Sequence, residues 1–566
     1  MRISDFRHAV AFAQKRPAKF MLRGHQLLNL QSQNVTATTR HDSPHFQALA
    51  SAALLIILIA ALIIAFNGGI SVGFSNHAGL LPVVRRILNP NYLPGDFGIT
   101  LRFYHHRVFA YLVAGFSAVL GEDNALIVLA AIGVTLLSAA LFALSRVLNM
   151  GRLGFVVAGL FLATRLAWTG LGLEENTLAG NADIMPTTFA HAALLLAAAS
   201  LRKERYKLTV FLAGTVLLLH LQIGLIFAIV LLPFFAARLK VIPPGELAAM
   251  SALFIVAASP ALIHFLKMLA SGLSNSSFTL DYINFRHPHH FELQSAANAV
   301  WVSAHLTIQC AVYYWLKKRS RPETAAIGVL MKVSLIIGAL SLLHFLDYYV
   351  LQIGAISKIQ LLRLSPLITL FGTLSLITAV SSWEDRGTSV ERRSAILRPA
   401  TSCLIAVALL WSGYYLIRWP SDVRFGINRY ASQSSSWVDM CLWIRDHGQA
   451  GTTYLTPPDK GGFTYLTNRS TVVEFKINPD GGLYLAEWYQ RLRDVCGSTL
   501  PDGRGFGNYS KLREAYGSLN SDRLAVLGDK YGAGCAVLPA TSPIGLEALY
   551  QNEDYKLVIV PGDRGN

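Results

Sequence analysis

Residues 48–66, ALASAALLIILIAALIIAF, make an apolar run without a single charge. It is long enough to cross a bilayer as a helix. Several such runs follow, and a backbone placed in lipid must satisfy its own hydrogen bonds, so the chain is constrained to a multi-helix membrane architecture. The composition agrees, at 53% hydrophobic and only 14% charged over 566 residues with a mean hydropathy of +0.42. A soluble domain carries roughly 25% charged residues. The formal net charge of +16 does not point to nucleic acid. The bases gather in short segments between apolar runs, the positive-inside pattern. Residues 1–47 are polar and basic (Arg2, Arg7, Lys15, Arg16, Lys19, Arg23, Arg40). They lack the layout of a cleavable signal peptide and read as a cytoplasmic tail.

From that inside start, 48–66 leads to an outer loop at 67–107. A short apolar piece, 108–120, lies along or dips into the outer face. Segments 124–143, 154–169 and 187–201 then cross in turn, ending at the basic stretch Arg202–Lys207. Residues 208–236 are too long for one ordinary span and hold His220-Leu221-Gln222 at their middle. Two short helices meeting there, rather than one tilted helix, leave Lys317-Lys318-Arg319-Ser320-Arg321 cytoplasmic. Segments 246–269, 297–316, 323–345, 359–380 and 400–417 complete about eleven crossings in the transmembrane domain 48–417, with an outer loop at 270–296. Residues 418–566 lack any run of spanning length and read as a soluble extracytoplasmic α/β domain. Within it, helices are expected at 434–446, 482–495, 509–517, 521–530 and near 544–550. Strands are expected at 452–456, Val472–Phe475, Cys535–Leu538 and Leu557–Val560. Cys310 and Cys403 fall in expected membrane helices, whereas two of Cys441, Cys496 and Cys535 are available to form a disulfide outside the cytoplasm.

The polar clusters all fall on the outer side in this topology, which suggests one extracytoplasmic site. Loop 67–107 holds one carboxylate, Asp96, in a Pro-Gly-Asp-Phe-Gly turn among Arg85, Arg86, Arg102, His105, His106 and Arg107. One acid among bases suits an anionic lipid-linked substrate, and equally an aspartate that stabilises its own turn. Loop 270–296 carries Arg286-His287-Pro288-His289-His290 and Glu292. These side chains suit phosphate or pyrophosphate, a polar surface loop, or a divalent metal held by the three histidines with Glu292 or Asp281. Pro288 interrupts any helical histidine spacing, and no zinc pattern is matched. His220 and Gln222 at the helix break read as structural groups or ligands, and Glu174, Glu175 and Asp183 as a solvated loop or as ligands. Arg363, near the outer end of 359–380, meets a lipid phosphate or snorkels. His344, Asp347 and Lys358 form a further outer polar stretch. In the C-terminal region, Asp459, Arg469 and Lys476 follow strand ends, where α/β folds place ligands; ordinary turn chemistry accounts for them as well. No Walker motif or nucleophile elbow is present, so ATP is not implicated.

The order of first helix, long outer loop with an acid, outer-face helix, many spans and outer α/β domain resembles the GT-C class of membrane glycosyltransferases, which use polyprenyl-phosphate sugars. The Gly121–Arg152 stretch resembles their second span with its basic cytoplasmic end. The C-terminal region resembles the soluble domain of the catalytic subunit of oligosaccharyltransferase, from Trp443-Ile444-Arg445 through Asn468-Arg469-Ser470-Thr471-Val472-Val473 to Leu527–Gly532 before Val537-Leu538. The Pro457-Pro458 and histidine loops also resemble an uncharacterised bacterial family of polytopic membrane proteins. Two departures stand out: Thr456-Pro457-Pro458-Asp459 occupies the place of the Trp-Trp-Asp signature, and Asp96 stands alone where paired acids are usual.

The resemblance implies a bacterial inner-membrane enzyme that moves a sugar from a polyprenyl-phosphate donor to an outer-face acceptor in cell-envelope glycan or glycolipid synthesis. Asp96 would be the general base, and Arg85, Arg86, Arg286 and the histidines would neutralise the leaving polyprenyl phosphate. The remaining partners would be membrane lipids, with a divalent metal left open. The alternatives are a transporter or flippase of a lipid-linked saccharide and a degenerate structural relative. Neither an internal repeat nor paired broken helices favours the transporter.

Overall fold

A computed structural model describes residues 44–561, except 74–75, 101–105, 173–183, 271–281, 385–389, 421–422, 425, 431–433 and 478–481. Residues 1–43, Arg102, His105, Glu174, Glu175, Asp183 and Asp281 lie outside the described residues. The chain divides into two compact units, 1–54 and 55–566. Of the first, residues 44–54 are described and form the opening turns of helix α1 (Pro44–Phe66).

Within residues 55–566, each apolar run is a helix. After strand β1 (Ile70–Val72) come α2 (His77–Leu88), the single turn α3 (Phe97–Thr100) and α4 (Arg107–Leu120). Helices α5 (Glu122–Val147), α6 (Gly151–Ala163), α7 (Pro186–Arg202), α8 (Tyr206–Leu219), α9 (Leu221–Ala236) and α10 (Pro244–Ala270) follow. The series closes with α11 (Ala296–Lys318), α12 (Thr324–Phe345), α13 (Pro366–Glu384) and α14 (Val390–Arg418). Among the described residues, five helices are long and apolar enough to cross a membrane: those over Phe46–Phe66, Glu122–Val147, Pro244–Lys267, Thr324–Leu351 and Leu361–Trp383. The chain is thus a polytopic helical membrane protein.

The 208–236 stretch breaks at His220, whose extended backbone caps α9. Gly224 makes the sharp bend feasible, because a Cβ there would stand 2.1 Å from the Leu217 backbone.

The C-terminal part supplies β2 (Ile427–Arg429), α15 (Ser435–His447), β3 (Thr453–Leu455), α16 (Phe463–Thr467), β4 (Ser470–Thr471) and α17 (Gly482–Val495). It ends with α18 (Asn508–Gly517), α19 (Ser521–Tyr531), β5 (Ala533–Pro539), β6 (Ala548–Gln551) and β7 (Tyr555–Ile559). Five strands form one sheet in the order β4-β3-β5-β7-β6. Strands β4, β3 and β5 run parallel, while β7 is antiparallel to β5 and β6.

Three readings are corrected. The helix expected near 544–550 is strand β6, because Ala548–Gln551 completes a sheet edge against β7. The strand expected at Val472–Phe475 pairs only over Ser470–Thr471, after which the chain bends away. Cys441, Cys496 and Cys535 are free thiols; Cys441 and Cys496 belong to different core clusters.

The segment between α1 and α5 and the C-terminal part share their cores. Leu80, Leu81 and Val84 of α2 and Phe109 of α4 pack with Trp437, Tyr454 and Phe463. Phe97 instead joins Leu455, Phe475, Tyr484 and Trp488 in a second cluster. Strand β1 also pairs in parallel with β2, from Ile70↔Ile427 to Val72↔Arg429.

Candidate functional site

Asp96 stands between those two clusters. Its Oδ1 accepts the Ile99 N–H at 3.0 Å and so caps α3, the role that short polar side chains fill at helix starts. Its Oδ2 is buried and has no hydrogen-bond partner. The turn-stabilising reading of the Pro-Gly-Asp turn is thus met by Oδ1, and Oδ2 remains available to a ligand. Burial pushes the carboxyl up to about 6, against the pull of nearby backbone amides, Ile99 first, and of the Arg491 guanidinium. Arg491 lies 4.0 Å over the Phe97 ring and donates to the Val472 carbonyl.

A second carboxylate faces the same cavity. Glu474, just past β4, accepts the Gly462 N–H at 2.9 Å and the Thr464 N–H at 3.3 Å. Burial raises it to about 7, and the Asp96 charge pushes in the same direction. Together with Asp96, Thr464, Thr471 and Tyr484 it lines a cavity of about 20 Å³, taken as the space open to the centre of a water molecule. That is room for about one water. Two buried carboxyls around so small a space favour holding a proton between them.

The parallel strands explain this placement. The turns after β3 and β4 leave the sheet at one edge, tied by a 2.7 Å bond between Thr456 Oγ1 and Thr471 Oγ1. They carry Asp459 on one side and Glu474 and Lys476 on the other. Asp459 accepts from Arg513 at 2.8 Å through Oδ2, while its buried Oδ1 has no partner. Tyr509, raised chiefly by burial, feels Arg286, Asp459 and Glu474. These groups thus converge on one sheet edge.

Residues 282–291, helical over 282–286 with a 3-10 turn at Pro288–His290, dock on the same edge. Arg286 donates to the Phe475 carbonyl at 2.9 Å and the Lys476 carbonyl at 3.1 Å, and its guanidinium stacks 4.8 Å from the Phe475 ring centroid. It clamps the loop to the residues beside Glu474. The next residues bring three imidazoles together, with ring nitrogens of His287, His289 and His290 all within 4.8 Å of one another. His287 is buried, and desolvation followed by the Arg286 charge holds it well below the usual imidazole range. Its ring is therefore neutral and its Nδ1 lacks a hydrogen bond, the state a metal ligand requires. Glu292 is outside this group and pairs with Arg504. Arg363, in the turn Leu361–Leu364, bonds Gln360 and is close enough to lower His287 electrostatically.

Other expected site residues do structural work elsewhere. Arg85 pairs with Glu122 at 2.5 Å and donates to the Tyr465 carbonyl and Asn468 Oδ1, each at 2.7 Å. Arg86 binds the Tyr92 carbonyl at 2.8 Å, and Arg469 turns to the carbonyls of Gly448 and Thr467. His344 Nε2 is 2.9 Å from the Phe291 carbonyl. Asp347 accepts the N–H groups of Ile356 and Ser357 at 3.0 and 2.7 Å. His220 caps its helix and stacks edgewise on His106 at 4.7 Å.

A larger cleft of about 610 Å³ opens where α6 and α14 end and α11 begins, lined by Arg165, Trp168, Trp301, Trp411, Tyr415 and Trp419. Arg165 donates to Asn67 at 3.1 Å, next to β1.

Sequence reasoning passed over Glu474 and Arg491 as site residues. Glu474 fell inside the strand expected at Val472–Phe475, where nothing local set it apart.

The model of a domain of unknown function, DUF6798, matches residues 435–495, the stretch that carries Asp459, Glu474 and Arg491. No protein of curated function matches the chain. Among solved structures, it is similar to ArnT from Cupriavidus metallidurans bound to undecaprenyl phosphate, with 9% identity and a TM-score of 0.48 over 91% of this chain and 98% of that one. It is likewise similar to the apo ArnT of that organism, at 10% identity and a TM-score of 0.46, with the same shares of both chains covered.

Proposed function

We propose that the chain is a GT-C-type membrane glycosyltransferase that transfers a sugar from a polyprenyl-phosphate donor to an acceptor on the outer face of a bacterial inner membrane. The product would be a cell-envelope glycan or glycolipid. The observation that carries this reading is Asp96, whose buried Oδ2 has no hydrogen-bond partner and which lines a cavity together with Glu474. In this reading the membrane part crosses about eleven times, the N-terminus is cytoplasmic, and residues 418–566 stand outside.

Asp96 would take the proton of the acceptor hydroxyl as that oxygen attacks the sugar carbon and displaces polyprenyl phosphate, inverting the centre. A carboxyl near 6 is ionised at neutral pH yet basic enough to receive a proton, a favourable match for a general base. Glu474, at about 7, would hold the proton nearby and keep the two carboxyls from charging together. Arg491, Arg286, Arg363 and the imidazoles supply positive charge or hydrogen-bond donors for the leaving phosphate. The cavity must widen to admit sugar, because its present volume suits one water. The aromatic cleft with Arg165 suits the donor, whose isoprenoid would lie on the indoles with its phosphate at the guanidinium. We also propose that His287, His289 and His290 hold a divalent transition metal, on the strength of their convergence and the neutrality of His287.

The test uses purified protein in lipid, offered short-chain polyprenyl-phosphate sugars, with release of polyprenyl phosphate followed for wild type and Asp96→Asn. Release that falls by 10²–10⁴-fold, the usual worth of a positioned base, supports the enzyme. Full activity in the variant removes Asp96 from the role. Tight donor binding without turnover favours a carrier or a degenerate relative.

A further inference from the structure

At the opposite end of α5 and α7 from Asp96 lies a second large cleft, about 910 Å³, which the transferase reading leaves unused. The closing turn of α7, the start of α8, the end of α9 and the first turns of α12 form its walls. Four bases line it, Arg202, Arg238, Arg321 and Lys332, against one acid, Glu204. Arg238 answers that acid at 3.1 Å, and Arg321 donates to the Ser382 carbonyl. Buried Glu323 nearby accepts from Asn149.

Arg202 and Lys332 remain unanswered. The Arg202 Nε is buried with no hydrogen-bond partner. Lys332 is exposed on α12, inside the candidate span Thr324–Leu351. It stands eight residues past Thr324, roughly 12 Å along the axis at 1.5 Å per residue. An ammonium at that depth on a lipid-facing helix is costly without a counter-charge or water. Beyond it the surface turns apolar, with Leu335, Leu342 and Leu232 exposed. Tyr206 and Tyr313 flank the opening, as aromatic rings do at the headgroup level.

We infer that this cleft binds one anionic glycerophospholipid from the leaflet on the basic side. Its phosphate meets Arg202 and Lys332, and its acyl chains run along α12 and α9. Basic pockets between spans take acidic lipids in this way. The inference is independent of the transferase reading.

The full chain is purified, delipidated in detergent and titrated with phosphatidylglycerol, phosphatidylcholine or inorganic phosphate, and bound lipid is counted by native mass spectrometry. One phosphatidylglycerol is retained per chain, preferred over phosphatidylcholine about thirtyfold, about fivefold from each of the two basic contacts. Lys332→Gln and Arg202→Gln each reduce that preference about fivefold. Thermal unfolding is read for both; Lys332 is exposed, so its variant reports the site even where the arginine change disturbs packing. Equal retention of the two lipids overturns the inference. So does an unchanged preference in Lys332→Gln, or displacement of the lipid by inorganic phosphate at the same concentration. Asp96→Asn leaves the preference intact, so failure here is distinguishable from failure of the transferase.

Discussion

Asp96 turns one oxygen to a helix cap and leaves the other buried without a partner, and that burial sets its pH behaviour. Its folded pKa is about 6, above the ordinary 3.8, so the native state binds the proton more tightly than the unfolded chain does. Stability therefore falls as pH rises from about 4 to 6 and is level above. Asp96→Asn keeps the Oδ1 bond and removes the buried charge. The variant should be more stable than wild type at pH 8, by on the order of 3 kcal/mol, read as a higher unfolding temperature, and match it at pH 4. A variant that is less stable at pH 8 would show that the burial is not costly. His287 behaves in the opposite sense. Its pKa is depressed, so its contribution is present above the unfolded value near 6.5 and is lost as pH falls below it. Zinc or cobalt bound at the trio should therefore hold at pH 7 and weaken by more than about tenfold in His287→Ala, read by metal content and by the cobalt visible spectrum. The sequence alone exposed Asp96 because turn residues frame it. It did not expose Glu474, whose raised pKa exists only where burial and the Asp96 charge act together.

Helices were legible because lipid demands long apolar runs, and the break at His220 followed from the sidedness of the distant cluster at 317–321. Boundaries of the short elements were not. Helix α16 and strand β6 span five and four residues, too few to show a period, and each is held by tertiary packing. Gly224 was also silent in sequence, although the α8–α9 bend depends on it. A Cβ at 2.1 Å from the Leu217 Cα meets backbone that cannot move aside. Gly224→Ala should cost more than about 4 kcal/mol, seen as loss of monodisperse protein on extraction, whereas Gly115→Ala, with no atom within 4 Å of the added methyl, should extract normally. Equal behaviour of the two would mean that the bend tolerates opening.

On the scale of the whole molecule, the C-terminal part closes over the segment between α1 and α5 instead of standing apart from it. Arg286 illustrates the cost of separating them, since its removal leaves the Phe475 carbonyl without that donor beside Glu474. Arg286→Met should lower stability by about 1–3 kcal/mol and admit protease to the 282–290 loop, measured by limited proteolysis; unchanged cleavage would show that the clamp is dispensable. The broad division into spans and α/β part was readable from composition, but the shared cores that join Phe97 and Leu80 to the sheet were not, because no local pattern encodes a partner hundreds of residues away. The β1–β2 ladder carries a consequence in time. Ile70–Val72 leave the ribosome early, and their partners Ile427–Arg429 emerge only after α2 to α14 have been made. The half of the site that holds Asp96 must therefore wait unfinished through most of synthesis, and a nascent chain released short of residue 429 ends with an open strand edge for quality-control proteases to find.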